Sequence, residues 1–231
     1  MTARVIRTER LEIVPGTLEL ARAGASGNLD AFARMLGVGI PPGYPPPEYD
    51  QPFLDWDVRF HEAHPDAVGW GGWHFVLVEE GGQGAGPSQR EALPLAAGAP
   101  ARVLIGGGGF KGPPTPEGAV EIGYSLIPSY HGRGLGKEAV IALVAWAFEH
   151  HEVRVVIADT MPELVPSIRL LDGCGFQRVG PGPEERSIRF ELDRAGFEAS
   201  RAASDTARSA ASRAAPGTGT PRTARGPVSD R

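Results

Sequence analysis

Apolar residues recur along the chain with two different spacings, which together predict the order of its secondary-structure elements. Runs of β-branched, aromatic and aliphatic residues bounded by Gly or Pro are typical of strands, whereas apolar residues three and four positions apart favour amphipathic helices. The strand-like runs are residues 11–14, 73–78, 102–105, 120–126, 153–158 and 188–192. The helical runs are residues 17–25, 29–36, 53–60, 134–150 and 166–171.

The order of these elements predicts a single α+β (mixed α/β) domain over residues 1–197. Antiparallel strands come first. The run at 120–126, the long helix and the run at 153–158 then form a strand–helix–strand unit whose two strands should be parallel. The expected architecture is a central mixed, mostly antiparallel sheet with helices on both faces.

Two segments contain too few large apolar residues to contribute to a core. Residues 79–100 are rich in Gly, Ala and Pro, and they are expected to form a long loop between two strands. Residues 198–231 are rich in Ala, Ser, Arg, Gly and Pro. We expect this tail to be disordered, because it cannot bury enough surface to offset the entropy of the chain.

Composition and charge narrow the class of protein. The formal net charge of −5 argues against a general nucleic-acid binder, so no specific nucleic-acid partner is expected. The single cysteine, Cys174, excludes an internal disulfide and a Cys-based zinc site, and the simplest compartment is a reducing cytoplasm. No apolar run has the length of a membrane span, no signal-peptide stretch opens the chain, and the histidines lack metal-ligand spacing. We therefore expect neither a membrane partner nor a bound metal.

The clearest chemical signal is a glycine-rich stretch between a strand and the long helix. Gly132, Gly134 and Gly136 lead directly into that helix, and Arg133 and Lys137 add positive charge. Unpaired N–H groups and the positive end of the helix dipole make such a place an anion site, and glycines let the anion approach the backbone. Tight turns and helix caps also require glycine, so the pattern alone leaves phosphate binding and a structural role both open.

Two nucleotide-binding patterns fit this stretch poorly. A dinucleotide fingerprint follows the first strand of a parallel unit, whereas this loop follows several strands. Asp159, at the end of the next strand, is the one feature that keeps the dinucleotide reading open. The triphosphate-binding pattern needs Ser or Thr after its lysine, but Glu138 follows Lys137.

The stretch resembles the cofactor-binding motif of the GNAT N-acetyltransferase superfamily, Gln/Arg-x-x-Gly-x-Gly/Ala after an Ile-Gly-Tyr strand. His131, Gly134 and Gly136 fall on its defined positions, with His131 in place of Gln or Arg. Residues 158–176 resemble the family's second signature, a strand and a short helix that ends in Gly-Phe. The opening Thr-Glu-Arg-Leu-Glu-Ile at residues 8–13 is similar to the branch that includes ribosomal-protein N-terminal acetyltransferases.

This resemblance, which runs from about residue 8 to 192, implies a reaction and a cofactor site. Members of the family transfer an acetyl group from acetyl-CoA, as co-substrate, directly to a primary amine of a small molecule or a protein N-terminus. Pantetheine would lie between two splayed parallel strands, 120–127 and 153–158, against the backbone of Leu126 and Ile127. The pyrophosphate would meet the loop residues His131, Gly132, Arg133, Gly134, Leu135, Gly136 and Lys137.

The resemblance also gives two catalytic candidates. Glu121, on the central strand, would act as general base, and the alternative is a surface or salt-bridged strand glutamate. Ser167 would be the hydroxyl near the thioester, and the alternative is a helix-capping serine. Cys174 is expected to serve in packing rather than as a nucleophile.

Two departures from the family pattern raise a rival hypothesis. Leu164 replaces an asparagine that often orients the cofactor, and Leu171 replaces a tyrosine that often protonates the leaving thiolate. The rival is a catalytically weak acyl-CoA-binding sensor or regulatory module. The acceptor itself is not identified, although the aromatic and Gly/Pro-rich residues 44–49, Trp56 and residues 68–74 are candidates for an acceptor pocket or for core packing. A homodimer is left open.

Overall fold

A computed structural model describes residues 3–79 and 101–214 of the chain. Its eight strands form one sheet in the order β1-β2-β3-β4-β5-β6-β8-β7. The strands are β1 (Ile6–Arg7), β2 (Leu11–Pro15), β3 (Gly72–Glu79), β4 (Ala101–Phe110), β5 (Ala119–Leu126), β6 (Val155–Thr160), β7 (Gln177–Pro181) and β8 (Ile188–Asp193). The helices of the described residues are α1 (Leu18–Ala25), α2 (Leu29–Leu36), α3 (Gln51–Ala63), α4 (Leu135–Phe148), α5 (Val165–Cys174) and α6 (Arg194–Ala214). The loop expected over residues 79–100 lies almost entirely outside the described residues.

Short side chains that cap the backbone determine where the first three helices begin. The side chains of Thr17, Asn28 and Asp50 accept hydrogen bonds from N–H groups in the first turns of α1, α2 and α3. Gly37 ends α2 in the left-handed conformation, which glycine adopts without steric cost. These local signals explain why the sequence pattern located the three helices correctly.

The parallel strand pair predicted from the strand–helix–strand unit is confirmed. Ala119, Val120 and Glu121 of β5 lie opposite Val155, Val156 and Ile157 of β6 in parallel register. Beyond this short segment, β5 remains paired with β4 up to Leu126 and β6 with β8 up to Thr160. The two strands therefore separate towards their carboxyl ends, while the other strand pairs of the sheet are antiparallel.

Helices cover both faces of the sheet, which confirms the predicted fold class. On one face, Leu143, Val144 and Ala147 of α4 are fully buried in a cluster with Trp73 and Phe75 of β3. On the other face, Leu20, Phe32 and Leu36 of α1 and α2 pack on Val76 and Leu104. No helix of the described ranges has both the length and the apolar character needed to cross a bilayer.

The C-terminal segment differs from its expected disorder over residues 198–214, which lie in helix α6. Alanine and arginine have high intrinsic helix propensity, so this Ala-rich segment forms a helix although it is poor in large apolar residues. Phe197, which is 5% exposed, packs on Phe148 with their ring centroids 5.5 Å apart. Arg194 donates to the carbonyl of Phe148 at 2.6 Å. Residues 215–231 lie outside the described residues.

Two short strands, β1 and β7, were missed by the sequence pattern. β1 has only two residues, and β7, Gln-Arg-Val-Gly-Pro, is largely exposed with a register shift before Gly180. Edge strands of this kind carry little apolar periodicity, because one of their sides faces solvent.

Candidate active site

The glycine loop connects β5 to α4. A 3₁₀ turn over Pro128–Tyr130 follows the strand, and α4 begins at Leu135 with Gly134 as its N-cap. Gly132 and Gly134 have φ angles of +72° and +76°, a region that other residues rarely adopt. A side chain at Gly132 would meet nothing within 4 Å, so the backbone is open to solvent there. The loop thus exposes the positive end of α4 to an approaching anion.

The N-terminal segment holds this loop through an acidic residue of α4. Glu138 accepts a hydrogen bond from the hydroxyl of Thr8 at 2.6 Å and forms an ion pair with Arg10 at 2.7 Å. Arg10 also donates to the carbonyl of Arg133 at 2.9 Å. Burial acts to raise the pKa of Glu138, but the hydrogen bonds from Thr8 and Arg10 outweigh it and lower the pKa. The negative charge of Glu138, beside the glycine loop, is therefore balanced by Arg10.

The three charged or titratable side chains predicted for the loop have different environments. His131 donates from Nε2 to the carbonyl of Leu126 at 2.8 Å, since a carbonyl oxygen only accepts. The guanidinium of Arg133 lies over the ring of Tyr130, 5.4 Å from its centroid. Lys137 is exposed in the first turn of α4 and extends towards Gly173 of α5. Arg133 and Lys137 remain at the surface beside the loop, whereas His131 supports the junction between strand and loop.

The backbone groups of Leu126 and Ile127, the two residues predicted to hold pantetheine, point to opposite sides of β5. The N–H of Ile127 donates to Ile105 of β4, and its carbonyl accepts from Tyr130, both at 2.9 Å. Because strand backbone groups alternate in direction, those of Tyr124 and Leu126 point to the opposite edge, into the gap between β5 and β6. The structure thus places the N–H of Leu126 at the gap, while the carbonyl of Leu126 accepts from His131 and both backbone groups of Ile127 are paired elsewhere.

Side-chain hydroxyls cluster at the same gap. Tyr124 of β5 and Ser167 of α5 are hydrogen-bonded with their oxygens 3.0 Å apart. Thr160, at the end of β6, has a buried hydroxyl oxygen with no hydrogen-bond partner. The N-cap of α5 is Leu164, so Ser167 does not cap this helix. Burial raises the pKa of Tyr124, which is neutral at physiological pH.

The positions at which the sequence departs from the family pattern are now defined in space. Leu164 is 42% exposed at the start of α5, and Leu171 is fully buried in the main core. Cys174 is buried, and burial raises the pKa of its thiol to about 12, which suits packing and not nucleophilic attack. Asp159 forms a bidentate pair with Arg189 of β8 at 2.8 and 3.0 Å, so its carboxylate is engaged within the sheet.

Glu121 forms an ion pair with Lys111 through its Oε1 atom. Its side chain is 27% exposed and lies on the face of β5 opposite to the buried Val120 and Ile122. The salt-bridged alternative for this residue is therefore what the structure contains. A role as base stays a prediction, and it would use the remaining Oε2 atom or a water molecule.

A cavity of about 360 Å³ lies on this same face of β5. Tyr49, Trp56 and residues 71–72, which the sequence had marked as candidate acceptor residues, contribute to it, whereas Trp70 and Trp73 are in the core. The cavity walls combine five glycines, five aromatic residues and three polar or charged residues. They are Gly71, Gly72, Gly108, Gly109, Gly123, Tyr49, Phe53, Trp56, Phe110, Tyr124, Glu48, Lys111 and Ser125.

Sequence reasoning missed Glu48 and Ser125, which meet at one end of this cavity. The hydroxyl of Ser125 donates to Oε2 of Glu48. Glu48 lies in a Pro-rich run without apolar periodicity, and 77 residues separate it from Ser125. The aromatic and Pro-rich composition of residues 44–49 was the only sequence signal for this end of the site.

A second, larger cavity of about 640 Å³ lies beside α4, bounded by residues 4–10, Gly134 and Arg201. Charged side chains of both signs line it, among them Arg10 and Glu138, which hold the glycine loop. It adjoins the anion-binding end of α4 but contains none of the hydroxyls at the strand gap.

Comparison with known proteins places these features in a family. The family model described as "Acetyltransferase (GNAT) domain" matches residues 62–177, which is half of the chain. The N-acetyltransferase p20 of Bacillus licheniformis is 36% identical over 77 residues, which are 33% of this chain and 43% of that protein. The matched segment thus spans less than half the length of this curated relative.

Solved structures share the fold over most of the chain. RimL, a ribosomal α-N-protein acetyltransferase, superposes with a TM-score of 0.51 at 13% identity, over 84% of this chain and 95% of its own. The aminoglycoside acetyltransferase AAC(6')-Ib, crystallised with coenzyme A, gives a TM-score of 0.50 at 20% identity, over 83% and 99%. Together with the matched family model, the glycine loop and the splayed strand pair, these likenesses lead to one conclusion: the chain belongs to the GNAT acetyltransferase family.

Proposed function

We propose that this protein transfers the acetyl group of acetyl-CoA directly to a primary amine of a small molecule or a protein N-terminus. The observation that carries the proposal is the convergence of two features at one point. The gap between β5 and β6 opens where the glycine loop presents the N-terminus of α4. A long thin thioester can enter the gap while its pyrophosphate meets the helix N-terminus.

The described residues fit such a cofactor. Gly132, Arg133 and Gly134 are exposed at the positive end of α4, beside the charge of Lys137. The N–H of Leu126 points into the gap, and the buried hydroxyl of Thr160 lacks a partner there. An unpaired buried hydroxyl costs free energy unless a ligand or water satisfies it, which supports a polar ligand at this place.

The chemistry required of the protein is modest, because a thioester is already activated. The amine nitrogen bonds to the acetyl carbon, the carbon–sulfur bond breaks, and the amine gives up a proton while the thiolate accepts one. The protein has to position the two substrates and assist the proton transfers. We assign the first transfer to Glu121 and the protonation of the thiolate to the hydroxyl pair of Ser167 and Tyr124.

The binding step is tested by a matched pair of substitutions at Gly132. Asn and Asp tolerate the left-handed conformation better than other residues, and a side chain here meets no protein atom within 4 Å. Gly132→Asp adds a negative charge where the pyrophosphate would lie, and Gly132→Asn adds the same shape without charge. In calorimetric titrations with CoA, we expect the Asp variant to bind at least tenfold more weakly than the Asn variant. Equal affinity of both variants and the wild type would place the pyrophosphate elsewhere.

A second function, acyl-CoA sensing without efficient catalysis, is favoured by the two leucines. Leu164, at the start of α5, provides no side-chain amide, and Leu171, in the middle of the helix, provides no phenol. Turnover separates the two functions: acetyl transfer to any amine of a chemically diverse panel supports the enzyme. Tight CoA binding without transfer to any of them would support the sensor.

A further inference from the structure

The cavity on the acceptor side is lined mostly by apolar atoms, and glycines of the sheet form its floor. Gly109 and Gly123 lie on the neighbouring strands β4 and β5, and Gly71 and Gly72 border them. Glycine leaves no side chain above the sheet, so another group can approach the backbone closely. An ideal Cβ built on Gly123 meets nothing within 4 Å, whereas one built on Gly109 would lie 2.1 Å from the carbonyl oxygen of Gly71. The free space is therefore directly above Gly123.

The aromatic rings of Tyr49, just before α3, and of Phe53 and Trp56, in its first turns, form the opposite wall. Tyr49 and Phe53 have their ring centroids 4.6 Å apart, and Phe53 and Trp56 are stacked at 5.9 Å. Tyr49 is buried, while Phe53 and Trp56 are half-buried and thus retain accessible ring surface. Such a wall favours a flat apolar group, and its π-faces also attract a cation.

The polar groups stand at opposite ends of the cavity and differ in sign. At one end the exposed carboxylate of Glu48 is held by Ser125, a neighbour of Tyr124 and Leu126, whose backbone groups face the strand gap. At the other end lies Lys111, paired with Glu121. A ligand with one ammonium group fits the Glu48 end, whereas a second cation at the far end would meet the lysine ammonium.

From this arrangement we infer that the acceptor is a small aralkyl primary amine, with its ring between Gly123 and the aromatic wall and its ammonium group at Glu48. The inference rests on the proposed function and specifies its substrate class. The cavity volume of about 360 Å³ lies at the small end of the range of about 300–1,000 Å³ for small-molecule sites. A polyamine or a polycationic sugar does not fit the charge pattern, and an extended peptide exceeds the size of the cavity.

The first experiment compares acceptors at saturating acetyl-CoA. We expect kcat/KM for 2-phenylethylamine to exceed that for ethylamine by at least tenfold, because burial of the ring adds free energy of binding. Spermidine and a tripeptide with an N-terminal serine should be poorer than 2-phenylethylamine. A preference for spermidine or for the peptide would overturn the inference and leave the acetyltransferase function standing.

Two variants locate the ring and the ammonium group. Gly123→Leu fills the free space, so the rate with 2-phenylethylamine should fall at least tenfold more than the rate with ethylamine. Glu48→Gln preserves the hydrogen bond to Ser125 but removes the charge, and it should raise KM for both amines. Unchanged KM in Glu48→Gln, or an equal loss for both amines in Gly123→Leu at unchanged Tm, would contradict the assignment.

Binding without acetyl-CoA separates this inference from the proposed function. Quenching of tryptophan fluorescence by 2-phenylethylamine, lost in Trp56→Phe, would show the amine in the cavity even if no acetyl transfer occurred. Acetyl transfer to other amines with neither quenching nor turnover of 2-phenylethylamine would refute the aralkyl assignment alone.

Discussion

The two carboxylates on the acceptor side of β5 have different surroundings. Glu121 has one oxygen bound to the ammonium of Lys111, whereas Glu48 has one oxygen bound to the neutral hydroxyl of Ser125. The partner of each carboxylate bears on its role, because an ammonium balances the charge and a hydroxyl leaves it in place. We therefore assign Glu48 to attracting the ammonium group of the acceptor. Because Glu121 lies at the other end of the cavity, its proposed role in proton transfer requires water molecules between its carboxylate and the amine.

Substitution of Glu121 tests its role in proton transfer. In Glu121→Gln we expect kcat to fall about 10²-fold or more, which is the usual contribution of a general base, with CoA affinity unchanged. Lys111→Met is the matched control, since it breaks the same exposed ion pair, worth about 0–1 kcal/mol, and keeps the carboxylate. Steady-state rates over pH 6–9 provide the measurement. Full turnover in Glu121→Gln would remove this residue from the mechanism.

At the scale of secondary-structure elements, the separation of β5 from β6 creates the site. Each strand keeps a partner on its outer side, β4 for the first and β8 for the second, so the gap leaves few backbone groups unpaired. The loop after β5 and helix α4 then close one end of the gap with glycines and N–H groups. The cofactor site is thus a consequence of strand pairing and not of any single side chain.

Helix α6 is the element whose contribution to stability is easiest to test. Phe197, at its start, is 5% exposed and packs on Phe148. Loss of a buried phenylalanine typically costs about 3 kcal/mol or more, so Phe197→Ala should lower the urea midpoint clearly. Arg201→Ala, which removes an exposed guanidinium 5.7 Å from the same ring, should cost about 0.5–1 kcal/mol or less. An unchanged midpoint in Phe197→Ala would show that α6 does not stabilise the domain.

At the scale of the whole molecule, His74 of β3 links stability to pH. It is buried, neither ring nitrogen has a hydrogen-bond partner, and its ring makes an edge contact with Phe32 at 5.2 Å. Burial, assisted by the nearby His61, lowers the pKa of His74 to about 4 from its usual 6.5. Protonation is therefore favoured in the unfolded chain, and the associated stability is present above pH 6.5 and lost as the pH falls towards 4.

The size of this effect can be measured against a variant without the titrating group. A pKa lowered from 6.5 to about 4 corresponds to about 3 kcal/mol between the two ends of this range. We expect the free energy of unfolding to fall by this order between pH 7 and pH 4.5, and His74→Leu to reduce that fall. Urea titrations at several pH values give the pH dependence of the free energy of unfolding for the wild type and for His74→Leu. An equal dependence in the two proteins would assign it to other groups.

Much of the local structure could be predicted from the sequence alone. The apolar spacing of α3 and α4 and the β-branched run of β6 predicted these elements, because such signals act between residues close in sequence. The glycine loop at residues 132–136 was located for the same reason. The tail was misjudged between residues 198 and 214, where helix propensity outweighs the shortage of large apolar residues.

Tertiary structure alone distinguished residues that the pattern treats alike. Leu126 and Ile127 are adjacent apolar residues, yet pairing of β5 with β4 directs one backbone to the gap and the other away from it. Pairing of β4 with β5 likewise brought Lys111 to Glu121, and packing of the loop before α3 on the sheet brought Glu48 to Ser125. Register and side-chain proximity depend on contacts between distant segments, and such contacts leave no periodic trace in a single sequence. The family and the glycine loop thus followed from local sequence, whereas the cavity beside β5 is a property of the folded chain.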